Sequence, residues 1–220
     1  MPSKTWTSDL HWVRPGQQTR SQRTQQALLD AAEELFAKQG VDATSVAEVA
    51  ERAGTSIGAV YHHFRDKKAL LYALYDRLAQ SYEATTAEAV APARWEGATI
   101  VDILHGYLTF ALASERDRPG FKRVGLEASR IDPALGEHFD KLRSELNRGL
   151  TELILDRSDE IGHPDPKLAT AFVLDQISAM LRIRLHGARA ATQLGRRADK
   201  VFVAEALRSA CAYLELDQPA

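Results

Sequence analysis

Apolar residues begin to recur at helical spacing after Arg20. Leu28, Ala31, Ala32, Leu35 and Phe36 fall at i, i+3, i+4, i+7 and i+8, one stripe of a helix over residues 20–39. Gly40 stops it, as a glycine just past a helix end does. Ser45 and Glu48 then form a capping-box pattern, and Val46, Val49, Ala50 and Ala53 make the apolar face of a short helix that Gly54 ends. Ser56 opens a third helix with Ile57, Val60, Tyr61 and Phe64 at i, i+3, i+4 and i+7. Asp66 caps a fourth, in which Leu70, Leu71, Leu74, Tyr75 and Leu78 recur. Helical patterning continues after Pro92 over residues 100–113, 120–129, 133–156, 167–191 and 199–216, with a turn at Gly162-His163-Pro164-Asp165-Pro166. No strand-like alternation is sustained and no internal repeat is found, so the pattern predicts an all-α chain.

Composition changes this picture little. A hydrophobic fraction of 45% and a charged fraction of 26% in 220 residues exclude a disordered chain and allow a sizeable core. No stretch approaches the ~20 apolar residues of a membrane span. The first residues lack the apolar core of a secretion signal, which predicts a cytoplasmic protein without membrane partners. Cys211 is the only cysteine, which excludes an internal disulfide framework and a multi-cysteine zinc site. The net charge of −2 does not point to nucleic acid. Residues 1–68 hold nine Lys/Arg against eight Asp/Glu, so position has to decide where charge does not.

Position singles out the two short helices, 45–53 and 56–64, joined through Gly54-Thr55 in the outline of a helix-turn-helix. Helices of this length do not persist alone and need neighbours, which the flanking helices supply. Spacing alone fits either a small helical bundle without a partner or a DNA-reading unit. Three details favour the second. Gly58 inside the third helix costs about 1 kcal/mol relative to alanine and leaves room for another backbone. Lys67 and Lys68 lie in the first turn of the fourth helix, where the macrodipole disfavours cations unless an anion is near. Tyr61, His62 and His63 ring the tip of the third helix. Together these fit phosphate clamping by Tyr61 and Lys67 with base-edge contacts from the third helix.

The run from Gly40 to Leu70, with Thr44-Ser45, Ala53-Gly54, Ser56-Ile57-Gly58, Tyr61, His63-Phe64, Lys67 and Leu70 at these separations, resembles the DNA-binding domain of TetR-family transcriptional regulators. The resemblance covers roughly residues 20–80. It implies a three-helix DNA-binding domain over 20–80 with its helix-turn-helix at 45–64, followed by a helical ligand-binding and dimerisation domain over 81–220. It also implies phosphate contacts at Ser45, Tyr61, His63 and Lys67. Thr55, Ser56, Ile57, Gly58, Ala59 and His62 would then meet bases or backbone. Ile57 departs from the polar or basic residue often found there. It either touches a thymine methyl group or packs inward with Val60 and Tyr61.

In the carboxy-terminal half, the 167–191 segment is apolar on two faces, with Leu168, Ala171 and Phe172 on one and Leu174, Ile177, Leu181 and Leu185 on another. In the last helix Val201, Ala204, Leu207, Cys211 and Leu214 step by threes and fours, the spacing of a helix–helix seam. The pattern fits a monomer core or a four-helix homodimer interface. The resemblance favours the interface, with Leu174, Ile177, Leu181, Leu207, Cys211 and Leu214 as its residues. Tyr107, Phe110, Phe121, Leu142, Phe172 and Met180 are candidates for an apolar ligand pocket. His105, His138 and His186 read as ordinary surface or core histidines, and no residue set converges on a metal or cofactor. Residues 1–19 form an extension that is either a disordered segment or one with a defined place. In the latter case Arg14, at the head of the approach that Arg20 and Arg23 continue, follows a DNA minor groove, or Trp6 and Trp12 dock on the protein.

The function expected is a ligand-responsive transcriptional regulator, a repressor released from a palindromic or pseudo-palindromic double-stranded DNA operator by a small-molecule effector. The alternative is a small all-α enzyme or ligand carrier. Against it, the chain lacks a phosphate loop, a Gly-x-Ser-x-Gly elbow, a His-Glu-x-x-His pair or any recognisable acid–base constellation.

Overall fold

A computed structural model describes residues 20–117, 119–185 and 192–216, the side chains of 115–123 excepted. The amino-terminal extension, His186 and the side chain of Phe121 therefore lie outside the described residues. Among the described residues the chain is helical and carries no strand. The helices are α1 (Arg20–Gln39), α2 (Val46–Arg52), α3 (Ile57–His63), α4 (Lys67–Ala89), α5 (Ile100–Asp117), α6 (Pro119–Ile131), α7 (Pro133–Leu155), α8 (Pro166–Leu185) and α9 (Asp199–Leu214). Nothing between Leu78 and Ala89 breaks a helix, so α4 runs straight through the boundary expected near residue 80. Helix α9 ends two residues before the expected Leu216. Glu215 turns into the left-handed region at φ 54°, and the Leu216 N–H reaches back to the Cys211 carbonyl at 3.0 Å.

The chain divides into two compact units. The unit that holds the short helices is discontinuous in sequence: residues 20–85 are joined by residues 119–143. Its core draws Leu28, Ala32 and Phe36 from α1, Val49 and Ala50 from α2, Val60 from α3, and Leu70, Leu71, Leu74 and Tyr75 from α4. Val124 and Ala128 of α6 and Leu142 of α7 complete it. Each fully buried Leu or Phe is worth about 1.5–3 kcal/mol. That burial sustains two seven-residue helices that could not stand alone. Polar ties cross the same core. The Arg77 guanidinium of α4 donates to Glu33 at 2.8 Å and Asp30 at 2.5 Å on α1. The buried Tyr75 hydroxyl donates to the Leu135 carbonyl at 3.0 Å, next to His138 Nδ1 at 3.2 Å.

The other unit holds residues 86–117 and, among those described, 144–216. Trp95 is fully buried, and its indole N–H donates to the Ala89 carbonyl at 2.7 Å. The Arg157 guanidinium closes the same corner by donating to the Trp95, Ala98 and Leu153 carbonyls at 2.6–2.7 Å. Arg184 is buried, yet fully engaged: it pairs with Asp199 and donates to the carbonyls of Leu194, Gly195 and Arg197. Such pairing offsets the desolvation of a buried charge. It fixes the start of α9 against the end of α8.

Candidate nucleic-acid interface

The helix-turn-helix is built by its caps. Ser45 Oγ accepts from the Glu48 N–H at 3.1 Å, and the Glu48 carboxylate accepts from the Ser45 N–H at 2.7 Å, a complete capping box on α2. The Ser45 and Gln39 donors hold the Glu48 carboxyl below its ordinary value, the Ser45 backbone N–H most of all. Ser56 Oγ accepts from the Ala59 N–H at 3.2 Å and starts α3. The chain passes from α2 to α3 through Gly54 at φ +65°, a left-handed conformation that a side chain would strain. Asp66 caps α4 by accepting from the Ala69 N–H at 2.7 Å, and this bond, with Arg65 beside it, lowers the Asp66 carboxyl.

With those caps set, α3 turns Val60 into the core and presents Ile57, Gly58, Tyr61 and His62 outward. Ile57 is 47% exposed and Tyr61 56% exposed, one helical turn apart on the same face. Of the two sequence readings of Ile57, inward packing is thereby excluded. Gly58 lies between them in open space; a Cβ built there would meet nothing closer than Ser56 Oγ at 3.7 Å. Ser56 is also exposed, Thr55, Ala59 and His63 are half-buried, and Ser45, whose hydroxyl is committed to the cap, is exposed.

Lys67 occupies a different environment from the phosphate clamp expected of it. Its ammonium donates to the Val41 carbonyl at 2.9 Å, the Thr44 carbonyl at 3.0 Å and the Asp42 carbonyl at 3.3 Å. An ammonium has three donors, and all three are taken by the loop that leads into α2. Arg130 of α6 holds the same loop from its outer side, at 2.7 Å from the Asp42 carboxylate. Neither tie was readable from sequence: 26 residues separate Lys67 from Val41 and 88 separate Arg130 from Asp42.

Of the six expected pocket residues, Phe121 has no described side chain and the other five are divided between the two units. Leu142 is a core residue of the helix-turn-helix unit, where α7 meets α4 and α6 residues. Tyr107 and Phe110 are buried in the other unit and Met180 is half-buried there, whereas Phe172 is 47% exposed and stacks on Tyr213 at 4.4 Å. An open groove of about 420 Å³ between α5 and α9 is lined by His105, Thr109, Leu112, Val203 and Leu207 among others, and by none of the five described candidates.

The six expected seam residues divide as well. Leu174, Ile177, Leu181 and Leu214 are buried within their own chain, and Leu207 and Cys211 are half-buried. Burial leaves those four no surface for a partner. The outward face of α8 carries Leu168, Ala171, Phe172 and Ile183, joined by Val201 and Ala212 on α9. Both apolar faces of α8 were visible in the sequence; which one faces outward depends on where α5 and α9 pack.

Residues 28–74 match the family model described as bacterial regulatory proteins, tetR family. The HTH-type transcriptional regulator TtgR of Pseudomonas putida is 41% identical over 63 residues, 29% of this chain and 30% of its own length. The matching stretch thus spans less than a third of that curated relative. The HTH-type transcriptional repressor BepR of Brucella suis is 26% identical over 174 residues, 74% of this chain and 81% of BepR. Among solved structures, a tetR-family regulatory protein from Rhodococcus RHA1 superposes with a TM-score of 0.62 at 20% identity, covering 91% of this chain and all of that one. Salmonella enterica GusR gives 0.61 at 19% identity, with coverages of 91% and 100%. The structural likeness establishes the same fold.

Proposed function

Because the chain belongs to the tetR family of bacterial regulatory proteins through its amino-terminal helices, we propose that it is a DNA-binding transcriptional repressor rather than an enzyme. The observation that carries this reading is the outward face of α3, where Ile57, Gly58, Tyr61 and His62 stand clear of the core on a capped, rigidly packed short helix. In this reading α3 enters the major groove and Tyr61 meets a phosphate. Lys67 serves from behind by fixing the loop into α2.

The regulator acts as a homodimer on a palindromic or pseudo-palindromic operator whose half-sites lie about one duplex turn, ~34–36 Å, or a multiple of it apart. The exposed apolar face of α8 and α9, centred on Leu168 and Phe172, supports the dimer. A small-molecule effector, bound in the carboxy-terminal unit, releases the operator. Ligand and DNA then weaken each other reciprocally, as linkage requires. Ligand response is typical of the family, and BepR is named a repressor. No helix among the described residues is long and apolar enough to cross a membrane, and the reading places the protein in the cytoplasm.

A gel shift on the DNA flanking its own gene, repeated across salt concentrations and with a panel of small apolar compounds, tests the whole reading. Sequence-specific binding that falls steeply with salt and is relieved by a compound is the expected result. Absence of any specific shift at low salt would remove the regulator assignment.

A further inference from the structure

Base edges in the major groove are read either by hydrogen bonds or by contact with the thymine 5-methyl group. The outward surface of the first turn of α3 carries no side chain able to do the former. Ile57 is apolar, Gly58 has no side chain and Ala59 offers only a methyl. Ser56, the N-cap just before them, accepts the Ala59 N–H through its oxygen and keeps its hydroxyl proton to donate, outside the turn itself. Yet this turn is no inert surface. Ile57 is about half exposed, Gly58 lets a partner approach without meeting protein atoms, and Tyr61 flanks them one turn on. Single exposed apolar residues are ordinary. Here one stands at the front of the helix that carries the recognition surface.

We propose that Ile57 reads the 5-methyl group of one thymine in each operator half-site, so that this turn selects a T·A pair by apolar contact. The inference rests on the DNA-binding reading above and deepens it by naming the feature of the DNA that is recognised. Gly58 sets the depth of approach, because the absence of a side chain lets the Ile57 methyl groups reach van der Waals distance of the groove floor.

The test uses the full chain. Duplexes are selected from a random-sequence pool, and the enriched site is resynthesised with deoxyuridine in place of each thymine in turn, which deletes only the methyl group. The expected result is one position per half-site at which uracil weakens binding about threefold to fivefold, the scale of one buried methyl. Ile57→Ala should bind thymine and uracil equally at that position, whereas Ile57→Val, which keeps a branched apolar contact, should retain the preference. Tolerance of uracil at every position, or an unchanged thymine preference in Ile57→Ala, overturns the inference while leaving the regulator reading intact. A pool that yields no enriched sequence overturns both.

Discussion

The Lys67 ammonium, in the first turn of α4, donates to the carbonyl of Val41 at 2.9 Å across the loop that leads into α2. With Thr44 and Asp42 also accepting, all three of its N–H donors are engaged within the protein, which leaves none directed at a phosphate. Lys67→Ala is therefore expected to lower stability by about 1–3 kcal/mol, the scale of hydrogen bonds from a charged donor. It should weaken DNA binding through a displaced α2. Removing a cation that neutralises a phosphate would also shrink the log–log salt slope by about one unit. The geometry gives the opposite expectation: weaker binding with the slope unchanged. Salt titrations of both proteins on one duplex decide between the two roles.

Gly58 separates stability from recognition. A Cβ there meets only Ser56 Oγ at 3.7 Å, and alanine is the better helix former by about 1 kcal/mol. Gly58→Ala is expected to raise the denaturant midpoint while reducing DNA affinity at least severalfold. A variant that is more stable and binds DNA as well as the parent would show that no close approach occurs at this turn.

The helix-turn-helix was legible because its signals are local. Ser45 and Glu48, Ser56, Gly54 and Asp66 act within four residues of the backbone they cap, and sequence spacing carries that information. What spacing could not carry was the packing of distant segments. Nothing near Val124, Ala128 or Leu142 marks them as partners of Leu28 and Leu70, so Leu142 read as a pocket residue and α6 as part of a separate domain. The same limit applied to α8, whose two apolar faces are equivalent in sequence until α5 and α9 cover one of them.

Acid should loosen the caps of the DNA-reading unit. Hydrogen bonds from the Ser45 and Ala69 backbone N–H groups, chiefly, hold the Glu48 and Asp66 carboxyls below their ordinary values of 4.5 and 3.8. A carboxyl lowered in the folded state contributes stability that is complete above its unfolded value. That contribution is lost as pH falls through the lower folded value. The loss is thus expected to begin near pH 4.5 and to deepen below it. Glu48→Gln, which still caps but does not titrate, should show a smaller drop in Tm between pH 7 and pH 3 than the parent. An equal drop would mean the capping carboxylate does not contribute to the acid response.

The two faces of α8 predict opposite consequences for the same substitution. Ile177 is fully buried in its own chain, so Ile177→Glu places a charge in the core and should unfold the carboxy-terminal unit. Leu168 and Phe172 are 59% and 47% exposed in the single chain, so glutamate at either costs the isolated protomer little. In a dimer that buries this face, the same charge would be desolvated against a partner at a cost of several kcal/mol. Leu168→Glu and Phe172→Glu are therefore expected to keep the helical signal and melting of a folded protein while sedimenting as monomers at micromolar concentration. Operator affinity should fall with them, because two half-sites can no longer be engaged by one joined pair of recognition helices. A parent protein that already sediments as a monomer under those conditions would remove the dimer from the proposed mechanism. Variants that stay dimeric would move the interface to another surface.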